Sequence, residues 1–525
     1  MILDLDQMTD GETLTARVAI VGAGAVGLVL AITLARKGID VIVLECGGQQ
    51  FEGAAQELNA AEVAGRKHIG ISEGRARVLG GTSTLWGGQV VAFNAIDFEA
   101  REWAGCSAWP LDLAELIPYY DRAADLLDLN VKHGEDMQLW QALNIEPPNL
   151  GEDFEMILTK YLPRTNLAAY FAKDLKTRAN LRVVLHATVV DLCFNSQRSQ
   201  INEILARSLS GRSAKVATTA IVLACGTIEA SRLLLASARK NNALPWAQNK
   251  SVGRYFQDHL NLIAAHVEPI DKKVFGNAFD NIYVEGHKYK PKIHLRDCAQ
   301  KKEKLLNIAA MFSYNPPLSE HLSNLNLFIR ALMRGTLPPN LKNIPSHIVA
   351  LAKVAWPFAS RYIIEHRAFH PIGLGIYLDL HCEQQPIWAS AIQLDDRRVD
   401  AHGIPLVKLN WQVAGREIET MARFCEKLQT RLAEAGIAQL EIDARLKARD
   451  ISILDACRDA YHHCGGLMMA DSAEQGVVDR ELRVFGTDNM YVAGSAVFRS
   501  SGFANPTFTA FALALRLADH LGENL

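Results

Sequence analysis

Arg17-Val18-Ala19-Ile20-Val21-Gly22-Ala23-Gly24-Ala25-Val26-Gly27 decides the fold of this chain. A short apolar run suited to a buried parallel strand leads into glycines spaced Gly-x-Gly-x-x-Gly, and Leu28 to Lys37 continues with helical character. A second apolar run, Val41 to Leu44, ends at Glu45, about 20 residues past the glycines, where an acid can accept from ribose hydroxyls. The glycines have separate physical tasks: a tight turn, close approach of backbone to a pyrophosphate, and close packing of helix on strand. Gly22, Gly24, Ala25, Gly27 and Glu45 are therefore candidate contacts to a dinucleotide. The motif alone does not choose between FAD and NAD. No second glycine fingerprint marks a separate nicotinamide domain.

Working outward, 525 residues can bury a large core divided between two domains. A net charge of −3 offers no basic face for nucleic acid. Nine cysteines without Cys-x-x-Cys spacing read as buried thiols of a reducing compartment, not as a disulfide framework or zinc site. Met1 to Arg17 lacks the basic and apolar regions of a secretory signal. Val18 to Ala35 is uncharged and of about bilayer length, but its glycines and the closing Arg36-Lys37-Gly38 make it a strand–turn–helix. No integral membrane span is expected, and the expected location is cytoplasmic.

A second glycine-rich stretch, Gly80-Gly81-Thr82-Ser83-Thr84-Leu85-Trp86-Gly87-Gly88, marks either repeated turning or close approach of something flat to the backbone. Ile117-Pro118-Tyr119-Tyr120 reads as a helix start. Leu181 to Cys193 reads as one strand; Ala220 to Gly226 reads as another and continues into a helix over Glu229 to Ser237. The nucleotide domain is thus assembled from separated pieces: 14–105, 180–262 and 446–525. The remainder, 106–179 and 263–445, is assigned to a substrate domain, with strand-like segments at Ile372 to His381 and Ile387 to Leu394. Residues 328–367 mix apolar side chains with Arg330, Arg334, Lys342, Lys353 and Arg361, and read as Pro-broken core helices or as a basic amphipathic surface.

The C-terminal block carries the chemistry-bearing residues: Tyr461-His462-His463-Cys464-Gly465, then Gly494-Ser495, then Asn505-Pro506-Thr507 opening a long apolar helix. Alone, the histidines read as structural, and Asn before Pro reads as an ordinary helix cap. Neighbouring histidines with no carboxylate cluster beside them give no metal site. Together with the glycine fingerprint, the Gly-Gly-Thr-Ser loop and the Val252-Gly253-Arg254 and Asp258-His259 segment, the block resembles the glucose–methanol–choline oxidoreductases.

The resemblance implies an α/β two-domain fold, a Rossmann-like FAD-binding domain with a substrate domain like that of p-hydroxybenzoate hydroxylase. It implies FAD as cofactor and oxidation of a CH–OH group by proton abstraction and hydride transfer. His462 matches the family's catalytic histidine, three residues before Gly465 and seven before Met469; His463 is one position off. Asn505 matches the second active-site position. Gly80, Gly81, Thr82 and Ser83 match a flavin-contacting loop in which Leu85 stands where relatives often carry a histidine joined to the cofactor, so dissociable FAD is expected. Val189 matches an adenine contact, while Ala224, Gly494, Ser495, Pro506 and Thr507 complete the expected cofactor set.

Within this reading His462 is the base, since imidazole titrates near working pH. Asn505 holds the substrate oxygen without titrating, and the dipole of the helix opened by Pro506 favours negative charge at the flavin pyrimidine. Glu383-Gln384, Pro386, Trp109-Pro110 and Tyr119-Tyr120 resemble the sugar-oxidising branch of the family more than the choline branch, a resemblance that implies a secondary hydroxyl of a sugar, glycoside or polyol as substrate. An aromatic or hydrophobic alcohol, a hydroxynitrile lyase-like activity, a nicotinamide-driven monooxygenase and a non-catalytic flavoprotein are the competing readings. No motif names the electron acceptor (oxygen, quinone or redox protein) or the oligomeric state.

Overall fold

The computed structural model describes residues 1–129, 136–142, 146–315, 360–361, 366–368 and 375–525. The opening strand is longer than its apolar half, running Glu12–Val21, because Ser213–Leu223 pairs parallel to it from Glu12↔Ala214 to Val21↔Leu223. Helix Ala25–Arg36 starts directly after the glycine turn, earlier than its hydrophobic run suggests, and Gly38 at φ +85° turns the chain into strand Val41–Leu44. A Cβ on Gly27 would lie 2.1 Å from the carbonyl oxygen of Gly22, so only glycine lets this helix sit on its turn.

These strands form one side of an eight-stranded sheet ordered Ile2–Asp4, Leu181–Leu185, Val41–Leu44, Glu12–Val21, Ser213–Leu223, Ile201–Arg207, Thr188–Phe194, with Met490–Val492 pairing parallel to Ser213–Leu223. The single strand expected over Leu181 to Cys193 is two strands. His186 takes φ +53° and breaks it, so that Leu181–Leu185 joins the parallel ladder while Thr188–Phe194 forms a hairpin with Ile201–Arg207. Helix Gly226–Lys240 follows the strand Ser213–Leu223, and the last helix, Thr507–Asn524, packs on Ala25–Arg36.

A nine-stranded sheet contains Ala438–Ile442, Leu260–Pro269, Gly375–Cys382, Ile308–Asn315, His287–Leu295, Phe154–Tyr161 and Gln89–Val90 in that order. One face packs Ala310, Phe312, Leu378 and Leu380 into an apolar core with Met421, Phe424 and Leu428 of helix Arg416–Glu434. A smaller five-stranded sheet ties Cys464–Gly466 to Arg254–Gln257 and Ala391–Val399. The strand expected from Ile387 begins only at Ala391, since Pro386 lacks an N–H and Ser390 N–H turns back to the Ile387 carbonyl. The expected helix start at 117–120 lies inside helix Leu113–Leu126, which Asp112 caps by accepting from Glu115 N–H.

Arg330, Arg334, Lys342 and Lys353 of the basic stretch lie outside the described residues; Arg361 pairs with Asp280 at 3.0 Å. Among the described residues no helix is long and apolar enough to cross a membrane. The nine cysteines are unpaired.

Candidate active site

One cleft runs along the carboxyl ends of the parallel strands. It is lined by Gly22, Gly24, Ala25, Glu45, Gly81, Thr82, Val189, Ala224, Gly494, Ser495, Pro506 and Thr507, and it reaches His462. Of the expected cofactor set, Gly27, Gly80, Ser83 and Leu85 do not line it. Gly27 packs the helix on the turn, and Ser83 Oγ holds its own loop by donating to the Gly80 carbonyl at 2.6 Å. Leu85 is 53% exposed. A dinucleotide fits the residues present: Gly24, Gly226 and Gly494 line the cleft, and a Cβ on any of them would meet no atom of the described residues within 4 Å. The fold leaves that space to something other than itself.

Glu45 does more than wait for a ribose. Its Oε2 accepts from Ala23 N–H at 2.9 Å and its Oε1 from Gly47 N–H at 3.0 Å, tying the glycine turn to the next strand and leaving lone pairs over. Burial outweighs these bonds and raises its carboxyl above the usual range. Sequence reasoning missed a guanidinium cluster at this end of the cleft. Arg75, Arg77 and Arg232 converge on Glu229 at 2.6, 2.9 and 3.3 Å, and Arg232 also pairs with Asp400 at 2.7 Å. With Glu45 counted, three cations face three carboxylates at this end of the cleft, and the cluster places guanidinium groups along its lining.

At the far end the fold brings together His462, His259 and Asn505. Buried His259 directs Nε2 at the carbonyl oxygens of Ser501 and Gly502, 3.1 and 2.8 Å away. Carbonyls only accept, so Nε2 carries the proton and Nδ1 of neutral His259 is a bare acceptor. His462 Nδ1 lies 2.8 Å from that Nδ1 and must therefore be the protonated partner. The remaining ring nitrogen of His462, Nε2, is left as a lone pair, 3.1 Å from Nδ2 of Asn505. Burial, then the neighbouring His259, lowers His462 to about 3, with Asp258 opposing.

Asn505 does not cap the final helix. Thr507–Asn524 receives no side-chain cap hydrogen bond, and buried Oδ1 of Asn505 has no partner among the described residues. Its amide is turned to His462 instead.

The loop before His462 is held from below. Asp258 Oδ1 accepts from the N–H groups of Ala460 and His462 at 3.2 and 3.0 Å, and its Oδ2 accepts from His68 Nε2 at 3.1 Å. Burial works to raise Asp258, but His68 and the neighbouring histidines overcome it and hold the carboxylate well below its usual range. A Cβ on Gly465 would come within 2.2 Å of the Tyr255 carbonyl oxygen, so the spacing His462-x-x-Gly465 is a packing requirement. His463 faces the other way, 3.9 Å from Asp258 Oδ2 and with its ring 5.2 Å from that of His68.

The sequence showed no carboxylate cluster with the histidines; the fold brings Asp258 to them, and places Asp459 3.8 Å from His68. His68, Asp258 and His463 lie close enough to share an ion. However, His68 Nδ1 accepts from Ile71 N–H at 3.1 Å and Asp459 accepts from the N–H groups of Ile69 and Gly70, so the cluster is already a hydrogen-bonded brace.

Four of the residues that pointed to a sugar are taken up by contacts within the fold. Glu383 is buried in a two-pronged pair with Arg101 at 2.5 and 2.6 Å, and Gln384 Oε1 accepts from Asp258 N–H and the Trp411 indole. Trp109 packs on Phe93, Phe98 and Phe498, and Tyr120 hydroxyl meets Thr509. His259 could have been flagged from its place in Asp258-His259, but nothing in sequence joins it to a partner 203 residues away.

Residues 386–514 match the family model described as GMC oxidoreductase, and residues 17–257 match the one described as FAD dependent oxidoreductase. The fructose dehydrogenase large subunit of Gluconobacter japonicus is 21% identical over 98% of this chain and 99% of its own length. The 2-methyl-1,2-propanediol dehydrogenase of Mycolicibacterium austroafricanum is 20% identical over 85% of this chain and 80% of its own. Among solved structures, pyridoxine 4-oxidase from Mesorbium loti superposes with a TM-score of 0.60 at 16% identity, covering 96% of this chain and 99% of that one. The two family models take in the glycine turn and the His462–Asn505 block between them, and the fold agrees along the chain: it belongs to the GMC oxidoreductases, as a FAD-dependent enzyme.

Proposed function

We propose that this enzyme oxidises a secondary hydroxyl of a sugar, glycoside or polyol, with His462 accepting the hydroxyl proton, Asn505 holding the oxygen, and FAD bound without a covalent link. The observation that carries the reading is the hydrogen-bond chain from the Ser501 and Gly502 carbonyls through His259, which leaves Nε2 of His462 as a lone pair beside Asn505. The sugar class rests on the fructose dehydrogenase relative, matched along nearly all of both chains. Dissociable cofactor rests on Leu85, whose side chain has no nucleophile and lies outside the cleft lining.

FAD, when bound, supplies the hydride acceptor. A hydroxyl within reach of both His462 Nε2 and Asn505 Nδ2 replaces their direct contact, donating to the first and accepting from the second. An imidazole lowered to about 3 is too weak a base to strip an ordinary alcohol in advance. It takes the proton as the C–H bond breaks, when the oxygen is becoming that of a protonated carbonyl and is far more acidic. Asp258 then stabilises the new positive charge from below the loop. The N-terminus of Thr507–Asn524, beginning two residues after Asn505, presents its positive dipole end to the cleft.

The segments 14–105, 180–262 and 446–525 supply the cofactor side in this reading, and 106–179 with 263–445 the substrate side. The eight-stranded sheet supports the first assignment by carrying the cleft.

The test is anaerobic mixing of the yellow holoenzyme with sugars, polyols and aromatic alcohols while the flavin band is followed. Bleaching by one class, slowed about 10²–10⁴-fold in His462→Ala at unchanged FAD content, is expected for a lost base. Bound FAD that no alcohol bleaches would overturn the reading in favour of a lyase or a non-catalytic flavoprotein.

A further inference from the structure

The nine-stranded sheet has a polar face that this chemistry leaves unused. Register defines it. Asn261 stands opposite His381, His381 opposite Ala309, and Ala309 opposite His294, so these side chains share one face. Lys292 and Lys290, at alternate positions before His294, project from that same face. The opposite face is the one sealed by helix Arg416–Glu434. The polar face looks toward the catalytic loop: the His294 ring lies 4.5 Å from that of Phe503, two residues before Asn505, and Asn261 follows His259 by two.

Buried polar groups are normally satisfied. Here Lys292 is 1% and His381 6% exposed, yet among the described residues Lys292 Nζ, both ring nitrogens of His381 and Oδ1 of Asn261 have no hydrogen-bond partner. Burial, with Lys290 adding to it, lowers the Lys292 ammonium to about 7 against the opposing pull of Asp379, and the charge of Lys292 acts in turn on His381 and His462. Asp379 is itself held above its usual range by burial, despite Lys290, Arg458 and Lys292. A buried ammonium with no ion pair among the described residues, only the more distant pull of Asp379, is costly beside a line of unsatisfied acceptors and donors, and an anion bound against it would relieve it.

Building on the reading of His462 and Asn505 as an alcohol-oxidising pair, we infer that the substrate also carries an anionic group, a carboxylate or a phosphate ester, which Lys292 and His381 bind while its hydroxyl lies between His462 and Asn505. A sugar acid or sugar phosphate has this chemistry. Lys292 supplies the charge and His381 a ring N–H, and a neutral sugar leaves both unpaired.

Matched sets test this in the holoenzyme: glucose, gluconate, glucuronate and glucose 6-phosphate, and fructose with its 6-phosphate, followed by anaerobic flavin bleaching. At least one anionic member should half-saturate at a concentration ten or more times lower than its neutral counterpart. Acids alone, or phosphates alone, showing this advantage identifies which group is bound. In Lys292→Met, which keeps the length of the side chain, that ratio should fall tenfold or more, and His381→Asn should lower it in the same direction. Succinate has no hydroxyl to oxidise; together with inorganic phosphate it reports binding alone, by perturbing the flavin band more tightly in wild type than in Lys292→Met. Neutral sugars bleaching as well as their anionic partners would overturn the anion inference and leave the alcohol-oxidising reading standing. Succinate or phosphate binding that depends on Lys292, with no alcohol bleaching the flavin, would keep the anion site and sink that reading instead.

Discussion

His259→Leu tests whether the tautomer of His462 is set by the fold. In the wild-type arrangement, moving the His462 proton to Nε2 would set two bare Nδ1 lone pairs against each other across 2.8 Å. Losing that buried hydrogen bond and leaving its groups unsatisfied costs about 1–3 kcal/mol. At about 1.4 kcal/mol per tenfold, this is a preference of roughly 5–150 for the form with a free Nε2. Leucine removes the preference and also the anchor that fixes the ring plane. Losing the preference alone lowers the competent tautomer only about twofold, from nearly all of the population to half; the freed ring plane supplies the rest, and the rate of anaerobic flavin reduction, expressed per bound FAD, should fall about 10–100-fold, less than the roughly 10²–10⁴ expected for removing the base itself. His259→Gln can direct an amide N–H at the Ser501 and Gly502 carbonyls and its oxygen at His462, and should recover most of the loss. In a His462→Ala background the leucine change should cost less than about threefold, because its effect passes through the missing imidazole. Equal losses in both backgrounds, or no recovery with glutamine, would refute the tautomer argument.

Acid should destabilise the protein earlier than carboxylate protonation alone would. His462 and His463 are both lowered to about 3 by burial, from an ordinary value near 6.5. Above pH 6.5 both are neutral in the folded and unfolded chains and contribute nothing; as pH falls toward 3 only the unfolded chain takes up protons, so stability is lost. At pH 5 the cost is on the order of 2 kcal/mol per imidazole, and denaturant midpoints at pH 7 and pH 5 should differ accordingly, with His463→Asn narrowing the gap. Acid precipitation should release all the yellow colour to the supernatant, because Leu85 cannot bond to the cofactor; colour kept in the pellet would contradict this. Gly24→Val should abolish FAD binding while leaving far-UV circular dichroism unchanged, since a side chain there meets no protein atom and projects into the cleft.

What the sequence made legible follows from the range of the forces involved. The glycine turn, its flanking strands and Glu45 lie within thirty-odd residues, and local backbone geometry dictates them. Even there a tertiary contact intervened: the Glu45 carboxylate is shared with two backbone N–H groups that no residue spacing announces. His462 and Asn505 stood out through family spacing, but read as isolated residues they favoured a structural histidine and a helix cap. Only the fold shows that the helix goes uncapped and that the amide turns to the imidazole. Leu181 to Cys193 misled because a run of β-formers does not reveal that one residue, His186, adopts a left-handed backbone and splits it.

The remaining gaps share one cause: partners far apart in sequence. His259 meets His462 across 203 residues and Asn505 meets it across 43, while Lys292 and His381 share a face only because three strands pair in one register. Glu383 shows the reverse error, a carboxylate that with Gln384 pointed to a sugar substrate but whose charge is consumed by buried Arg101. The two cases obey one rule. A buried charge with a bidentate partner has its role settled by the fold, and a buried charge without one points outward to chemistry the chain does not itself contain. By that rule Glu383 belongs to the architecture and Lys292 to the substrate.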